Sequence, residues 1–488
     1  MSGWQVFCRT VVARGAHPAL VQGDLTLSFA ELGALARHRA AALGTLGIGQ
    51  GDRVILHLNN GPDAAALPVA IWALGAIPVF APGDLRACAL ADIASRTSAK
   101  AILSDTIDHS AAAPVWHPAA LTGAAEFSGS VSEGGIGSIV FTSGSSGRPK
   151  GVVQLQSTLL DGAARVAQAV GFNAADRLLG AVPWSHDYGW TQLLALYTLG
   201  LTLILPATPG LALIPEAVER HRPTVFGGVP SVYGGLTRGI SDIASRDRRS
   251  VRLIMSTGSA MPARIWADLA SLFPLARRCL NYGLTETFRS ATLRAQDEQL
   301  APGITGSALP GSALCIVDEA GQPLPPGTWG EIVHRGAGVF ARYWDDPEQT
   351  ARHRRPDPVT GTAPAVFTGD RGMLDPAGRL SVGDRADRMV KVMGLAASPL
   401  AIEAVLGSTP GVAAAAVVFR PHDILGAELH AVLIPEPGAE ALPRAAGIAA
   451  KSRLAPHERP RHYHVLAAMP LTASGKVDLV VLTRMISG

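Results

Sequence analysis

A repeated switch between helical and strand texture over the first 255 residues constrains this chain more than any other feature. Residues 27–46, LSFAELGALARHRAAALGTL, carry apolar side chains at helical spacing, and Gly47 to Gly51 then lead into the β-rich run DRVILHL. The same alternation recurs up to RPTVFGGVP and VRLIMSTG. Parallel strands need crossover connections, so alternating helices and strands predict parallel sheets covered by helices on both faces. From about residue 302 to 383 the texture changes to short strands and Gly/Pro turns, as in GSALCIVDEAGQPLPPGTWGEIVHRG, which predicts a small distorted β barrel or curled sheet. Beyond Gly383 comes the charged segment DRADRMVK, followed by a mixed pattern with GVAAAAVVFR and ELHAVLIPE as strands. The expected architecture is α/β: a large N-terminal domain, 1–386, of two doubly wound α/β subdomains plus the β barrel. A smaller, mobile α+β C-terminal domain, 387–488, follows a boundary at Asp387.

Of the 488 residues, 42 are Lys or Arg and 39 are Asp or Glu, a net charge of +3 that leaves no broad surface for nucleic acid or an anionic membrane. At 48% hydrophobic and 17% charged, the chain lies far from the composition of disorder. Residues 64–83 and 189–215 are uncharged and exceed the roughly 20 residues a bilayer requires. Pro68, Gly75, Pro78 and Pro82 divide the first run, and Gly200, Pro206, Pro209 and Gly210 the second. Each therefore reads as a short helix followed by a buried strand. The start, MSGWQVFCRTVVARGAHPA, lacks a cationic segment before a sustained apolar one, so no secretory leader is expected and the expected location is cytoplasmic. Cys8, Cys88, Cys279 and Cys315 are too dispersed for a CxxC site or a disulfide framework.

The most chemically specific segment is SIVFTSGSSGRPKGVV, residues 138–153: a strand, a glycine-serine loop with one lysine, and a second strand. Glycines admit an anion close to the backbone, N–H groups and hydroxyls donate to its oxygens, and Lys150 neutralises charge. It is not a Walker A loop, because Pro149 precedes the lysine and Gly151 follows it.

TSGSSGRPKG resembles the signature of the adenylate-forming superfamily, which includes acyl- and aryl-CoA synthetases, non-ribosomal peptide synthetase adenylation domains and firefly-type luciferases. STGSAMP, NYGLTET, GEIVHRG, FTGD, GDRADRMVKVMG and LTASGKVD follow in the order of that pattern, so the resemblance spans nearly the whole chain. It implies a two-step reaction: a carboxylate attacks the α-phosphate of ATP, pyrophosphate leaves, and a thiol then displaces AMP. It assigns Thr142, Ser143, Gly144, Ser145, Ser146, Gly147 and Lys150 to the β- and γ-phosphates, and Tyr282 to one face of adenine with the Gly258, Ser259, Ala260 backbone on the other and Asn281 close by. Gly283 belongs to the same turn, Thr285 is the α-phosphate donor, and Glu286 is the Mg²⁺ ligand. Asp370 takes the ribose hydroxyls, Arg385 contacts ribose or phosphate, and Lys476 bridges the substrate carboxylate and the α-phosphate. Asp387 falls at the hinge about which the C-terminal domain would turn between half-reactions. Arg388 stands where a carboxylate is frequent, and Ala396 where a basic residue is.

The acid-binding pocket is expected to involve His186, Asp187, Tyr188, Val229, Gly258 and Arg289. His186 lies on the carboxylate side. Asp187 has two readings, a partner for a substrate ammonium, as in amino-acid adenylation domains, or the N-cap of a helix over 188–199. Arg289 either pairs with Asp187, touches a polar substrate tail or faces solvent. His457, His462 and His464 tempt a metal reading but, without a set of acidic or thiolate companions, read as surface residues. No carrier-like segment is present, so the thiol is expected from CoA or the phosphopantetheine of a free-standing carrier protein. The leading expectation is an AMP-forming carboxylate:thiol ligase acting on a small acid. Its alternatives are an amino-acid activating enzyme that loads a carrier, a luciferase-like oxygenase, transfer to a non-thiol nucleophile, and an adenylate-binding regulator without turnover.

Overall fold

The computed structural model describes the chain apart from residues 84, 86, 107–111, 123–126, 128–134, 143–148, 209, 238–240, 386, 387, 389, 394, 423, 424, 440, 441, 473, 474 and 488, and apart from the side chains of 384, 385, 391, 396 and 487. The predicted first helix runs Phe29–Thr45 and starts where its sequence says it should: Ser28 Oγ accepts from the Glu31 N–H, and Glu31 returns the contact to the Ser28 N–H. Arg53–His57 follows as a strand. It joins a seven-stranded sheet in which Ile136–Thr142, Ile77–Phe80, Arg53–His57, Ala101–Ser104 and Val115–Trp116 are parallel neighbours in that order. Lys150–Leu155 runs antiparallel to Ile136–Thr142, pairing Thr142 with Lys150 across the glycine-serine segment, and Arg342–Tyr343 pairs with its other side as the edge strand.

The second sheet runs, in spatial order, through the parallel strands Arg277–Tyr282, Leu253–Ser256, Val225–Gly228, Arg177–Gly180, Thr202–Leu205 and Pro18–Gln22. The expected β-rich region is present, but it is hydrogen-bonded to the edge of this sheet rather than set apart from it. Ala291–Thr292 pairs antiparallel with Arg277–Tyr282, then Gly306–Ala308, Arg379–Arg385, Pro364–Leu374, Gly330–Gly336 and Ser312–Val317 continue the series. Gly306 permits the join: a Cβ there would stand 2.2 Å from the Thr292 carbonyl carbon.

Both uncharged runs become core. Pro62–Ala73 is buried on every side from Ala65 onward, as an all-apolar helix must be. Trp72 donates its indole N–H to the Gly137 carbonyl at 2.7 Å and packs edge-on against Trp190, a residue of the helix Asp187–Leu199. Burying one such indole is worth on the order of 4–6 kcal/mol in apolar area. Among the described residues no helix is long and apolar enough to cross a membrane.

From Val390 onward a separate apolar core forms around Ile402, Leu406, Val417, Leu429 and Leu433. It lies between the helices Pro399–Gly407 and Leu442–Arg453 and a sheet of Val412–His422, Gly426–Pro435 and His462–Val465. Arg388 forms an ion pair with Glu403 inside this part. Among the contacts that tie it to the body, Arg264 pairs with Glu436 at 2.5 Å, and the loop bearing Gly475 and Lys476 reaches Val229 and Ser231.

Candidate active site

The candidate residues gather where strands of the large parallel sheet end. His186 follows Arg177–Gly180, Val229 follows Val225–Gly228, Gly258 to Ala260 follow Leu253–Ser256, and Asn281 and Tyr282 end Arg277–Tyr282. The carboxyl edge of a parallel sheet is where α/β folds place their ligands. Gly258, with φ +93°, turns the chain so that residues 258–260 are exposed along the cleft. Asn281 holds that turn from beneath, donating to the Ser256 carbonyl at 3.2 Å while its own carbonyl accepts from the Thr257 hydroxyl at 3.0 Å.

On the nucleotide side the polar groups are paired with one another. Tyr282 donates its hydroxyl to Asp370 at 2.7 Å, and Asp370 lies opposite Arg385 in the strand register. Tyr343 donates to Glu286 at 2.6 Å, fixing the carboxylate expected to hold a cation. Lys150 donates to Gln349 at 2.8 Å and lies 5.4 Å from the Tyr343 ring centre. Lys150, Tyr343 and Glu286 thus form one chain of contacts, although 136 residues separate Lys150 from Glu286 in sequence (286 − 150). A single half-buried carboxylate beside a lysine suits Mg²⁺, which takes few protein ligands and completes its shell with phosphate oxygens and water. Ser143 to Gly147 and Asp387 lie outside the described residues, as does the side chain of Arg385.

The acyl side differs. Gln154 is buried between three groups, accepting from Ser138 at 2.9 Å and donating to the Thr285 carbonyl at 2.9 Å and to Asp187 at 3.1 Å. Asp187 is the first residue of its helix, after the capping position held by His186, so the N-cap reading is not what the structure shows. Its carboxyl is pushed up to about 7: burial raises it, and Gln154 and the nearby Arg289 offset this only in part. Glu286 raises it further and Lys476 lowers it, which places all four groups in one electrostatic neighbourhood. Arg289 does not face solvent. It is 3% exposed, its guanidinium lies 5.4 Å from the Tyr188 ring centre, and its Nη1 makes no hydrogen bond. No ion pair joins it to Asp187 within 4.0 Å, so a carboxyl and a guanidinium share the pocket without closing on each other. Tyr188 is held by its hydroxyl on the Met255 carbonyl at 3.3 Å, and His186 Nδ1 lies 3.3 Å from Ser185 Oγ.

The C-terminal loop completes the cleft. Gly475 has φ +76°, and a Cβ on it would stand 3.0 Å from Ser231 Oγ and 3.1 Å from Val229. That close approach carries the Lys476 side chain over Gly258, within 3.7 Å of where a Cβ would sit. Gln154, Tyr343, Gln349 and Ser231 escaped the sequence reading. Of these only Gln154 left a trace, as a polar residue inside the apolar strand run GVVQL.

Residues 7–344 match the model of the AMP-binding enzyme family, and residues 401–476 match that of the AMP-binding enzyme C-terminal domain. The chain belongs to the AMP-binding enzymes. It is an ATP-dependent adenylating ligase. Similar proteins include the 3-[(3aS,4S,7aS)-7a-methyl-1,5-dioxo-octahydro-1H-inden-4-yl]propanoyl:CoA ligase of Mycobacterium tuberculosis, 29% identical over 95% of this chain and 94% of that one. The 3-hydroxybenzoate–CoA ligase of Aromatoleum sp. strain CIB is 27% identical over 95% of this chain and 92% of its own. Among solved structures, a benzoate CoA ligase from Burkholderia xenovorans LB400 superposes with a TM-score of 0.87 at 25% identity, covering 99% of both chains. In this AMP-binding enzyme the matched segments contain Lys150, Asp187, Glu286, Arg289 and, at the end of the second, Lys476.

Proposed function

We propose that the protein activates a small carboxylic acid with ATP, forming an acyl-adenylate and pyrophosphate, and then transfers the acyl group to the thiol of CoA. The observation that carries this reading is the seating of Lys476 over Gly258, in the electrostatic neighbourhood of Asp187 and Glu286. There its ammonium faces both the incoming carboxylate oxygen and the α-phosphorus it attacks. A fixed positive charge at the point where negative charge develops lowers the barrier without reorganisation. Thr142 and Lys150, with the residues between them, hold the β- and γ-phosphates, and Thr285 the α-phosphate. Tyr282 and Asp370 take adenine and ribose, with Asn281 supporting the 257–258 turn. Glu286, oriented by Tyr343, would hold Mg²⁺, whose charge offsets that of the phosphates. In the second half-reaction the thiolate sulfur bonds to the acyl carbon as the bond to AMP breaks. A turn of the C-terminal domain about Asp387 would withdraw Lys476 and admit the thiol.

The substrate's far end meets Asp187, Tyr188, Val229 and Arg289, with His186 at the carboxylate side. A pocket that holds a half-buried carboxyl and a buried guanidinium without joining them favours an acid with polar groups of its own, and Asp187 favours one bearing an amine. The second reading follows from that residue: an amine-bearing acid passed to a carrier protein's phosphopantetheine. Substrate-dependent ATP–pyrophosphate exchange over matched acids with and without an amino group tests the first step. Product formation with CoA alone tests the acceptor. Exchange with no acid offered, polar or apolar, would overturn the reading.

A further inference from the structure

The sheet of the C-terminal domain gathers a second set of chemistry-bearing groups, away from the cleft residues. Glu428 and His430 stand two apart on the strand Gly426–Pro435, and His462 and His464 two apart on His462–Val465. The strands run parallel with His430 opposite His462, which brings the four side chains onto one face. This corrects the sequence expectation for His462 and His464: their acidic companion exists, but strand pairing rather than chain proximity supplies it. His457, on the turn Pro456–Glu458, is not among them.

His462 Nε2 lies 3.3 Å from Glu428 Oε1, His430 Nε2 lies 3.5 Å from Glu428 Oε2, and the potential ligand atoms of the three residues all fall within 4.8 Å of one another. Bonds of about 2.1 Å to zinc put neighbouring corners of a tetrahedron about 3.4 Å apart, close to both Glu428 distances. His430 Nδ1 and His464 Nε2 share a hydrogen bond at 3.1 Å. With Nδ1 as the donor, the buried Nε2, which makes no hydrogen bond, turns a lone pair toward a carboxylate oxygen. Two acceptors facing each other call for a cation between them. A second ring nitrogen committed to an outer partner is also how metal-binding histidines are oriented. Arg420, opposite Glu428 on the third strand, forms no ion pair with it.

We infer that Glu428, His430 and His462 form a site for a divalent transition ion of the zinc type, with His464 fixing the His430 tautomer and a fourth position open to water. Glu428 and the half-exposed His462 close on the ion by rotation of their side chains, while buried His430 stays in place. The ion would fasten the edge strand His462–Val465 to its neighbour, and that edge strand leads directly into the segment carrying Lys476.

The test uses the full-length protein stripped with a chelator and titrated with Co²⁺ in the absence of ATP, read by visible absorption and followed by Zn²⁺ competition in a calorimeter. One equivalent with the intense bands of four-coordinate cobalt, displaced by zinc, is expected. His462→Ala should abolish that spectrum, and Glu428→Gln should weaken binding by about ten- to a hundredfold. Both variants should keep the far-ultraviolet circular dichroism of the parent and its ATP–pyrophosphate exchange in magnesium buffer. Absence of the cobalt spectrum in the parent, or binding equally strong in both variants, would overturn the site. Neither result bears on the adenylation chemistry.

Discussion

The two halves of the cleft treat charge differently. On the nucleotide side, Tyr282 with Asp370, Tyr343 with Glu286 and Lys150 with Gln349 each reach a partner within the protein. On the acyl side, Arg289 Nη1 has no hydrogen-bond partner and Asp187 is held mainly by a neutral amide. A buried polar network that is satisfied in advance is rigid and ready for one ligand geometry. A buried charge left unmatched costs stability and is tolerable where a ligand supplies the match. On the proposed reading, the first half positions the nucleotide and the second selects the acid.

The severest way to break this contrast is to remove the charge that spans both halves. Lys476→Ala should cut ATP–pyrophosphate exchange by about a hundred- to a thousandfold, as loss of a preorganised charge does. Turnover of supplied acyl-adenylate with CoA should stay near the parent rate. Equal loss in the two half-reactions would sink the domain-turn account.

Arg289→Met removes the unmatched charge at similar length. With the preferred acid, kcat/KM should fall by about a hundredfold, the scale of a lost charged hydrogen bond, while KM for ATP holds steady. Thermal stability should rise or stay level, because a buried cation without an ion pair is gone. A destabilised variant with unchanged acid preference would reduce Arg289 to packing.

Tyr343→Phe loosens the satisfied half by one hydroxyl. A roughly tenfold higher Mg²⁺ requirement is expected, consistent with the loss of a hydrogen bond to a charged group. Acid selectivity should not move, and a change there would show the halves to be coupled.

The smallest effect concerns pH. The Asp187 carboxyl sits near 7 in the folded protein, above its value of about 3.9 in an unfolded chain, so the native state binds the extra proton. Its contribution to stability is therefore full below the unfolded value and is lost as pH rises through about 7. Asp187→Asn should flatten that part of the stability profile, measured by denaturant melts across the range. The ionised form is the one that would hold an ammonium, so use of amine-bearing acids should increase through the same interval in the parent alone.

What the sequence disclosed was local. The glycine-serine segment with Lys150, the turn at Gly258 and the run Tyr282 to Glu286 each put their chemistry within a few neighbouring residues, where type and spacing carry meaning. The alternation of helix and strand was legible for the same reason. Gln154, Tyr343 and Gln349 were not, because each acts on a residue brought close only by sheet pairing or by the β-rich region folding back. The β-rich region itself was recognised by its turns, whereas its attachment to the parallel sheet depends on the backbone approach at Gly306, which composition does not reveal. The approach of Glu428 to His462 was not legible in HERPRHYH because Glu428 and His430 lie more than thirty residues upstream.

The ion pair between Arg264 and Glu436 is one of the contacts that clasp the C-terminal part to the body. Arg264 is 42% exposed, so salt and water compete for it, and such pairs are worth only about 0–1 kcal/mol. A contact that weak fits the proposed turn of the C-terminal domain, in which it breaks once in every cycle. On that proposal, raising the ionic strength should shorten the time Lys476 spends over the cleft and lower the rate of adenylation.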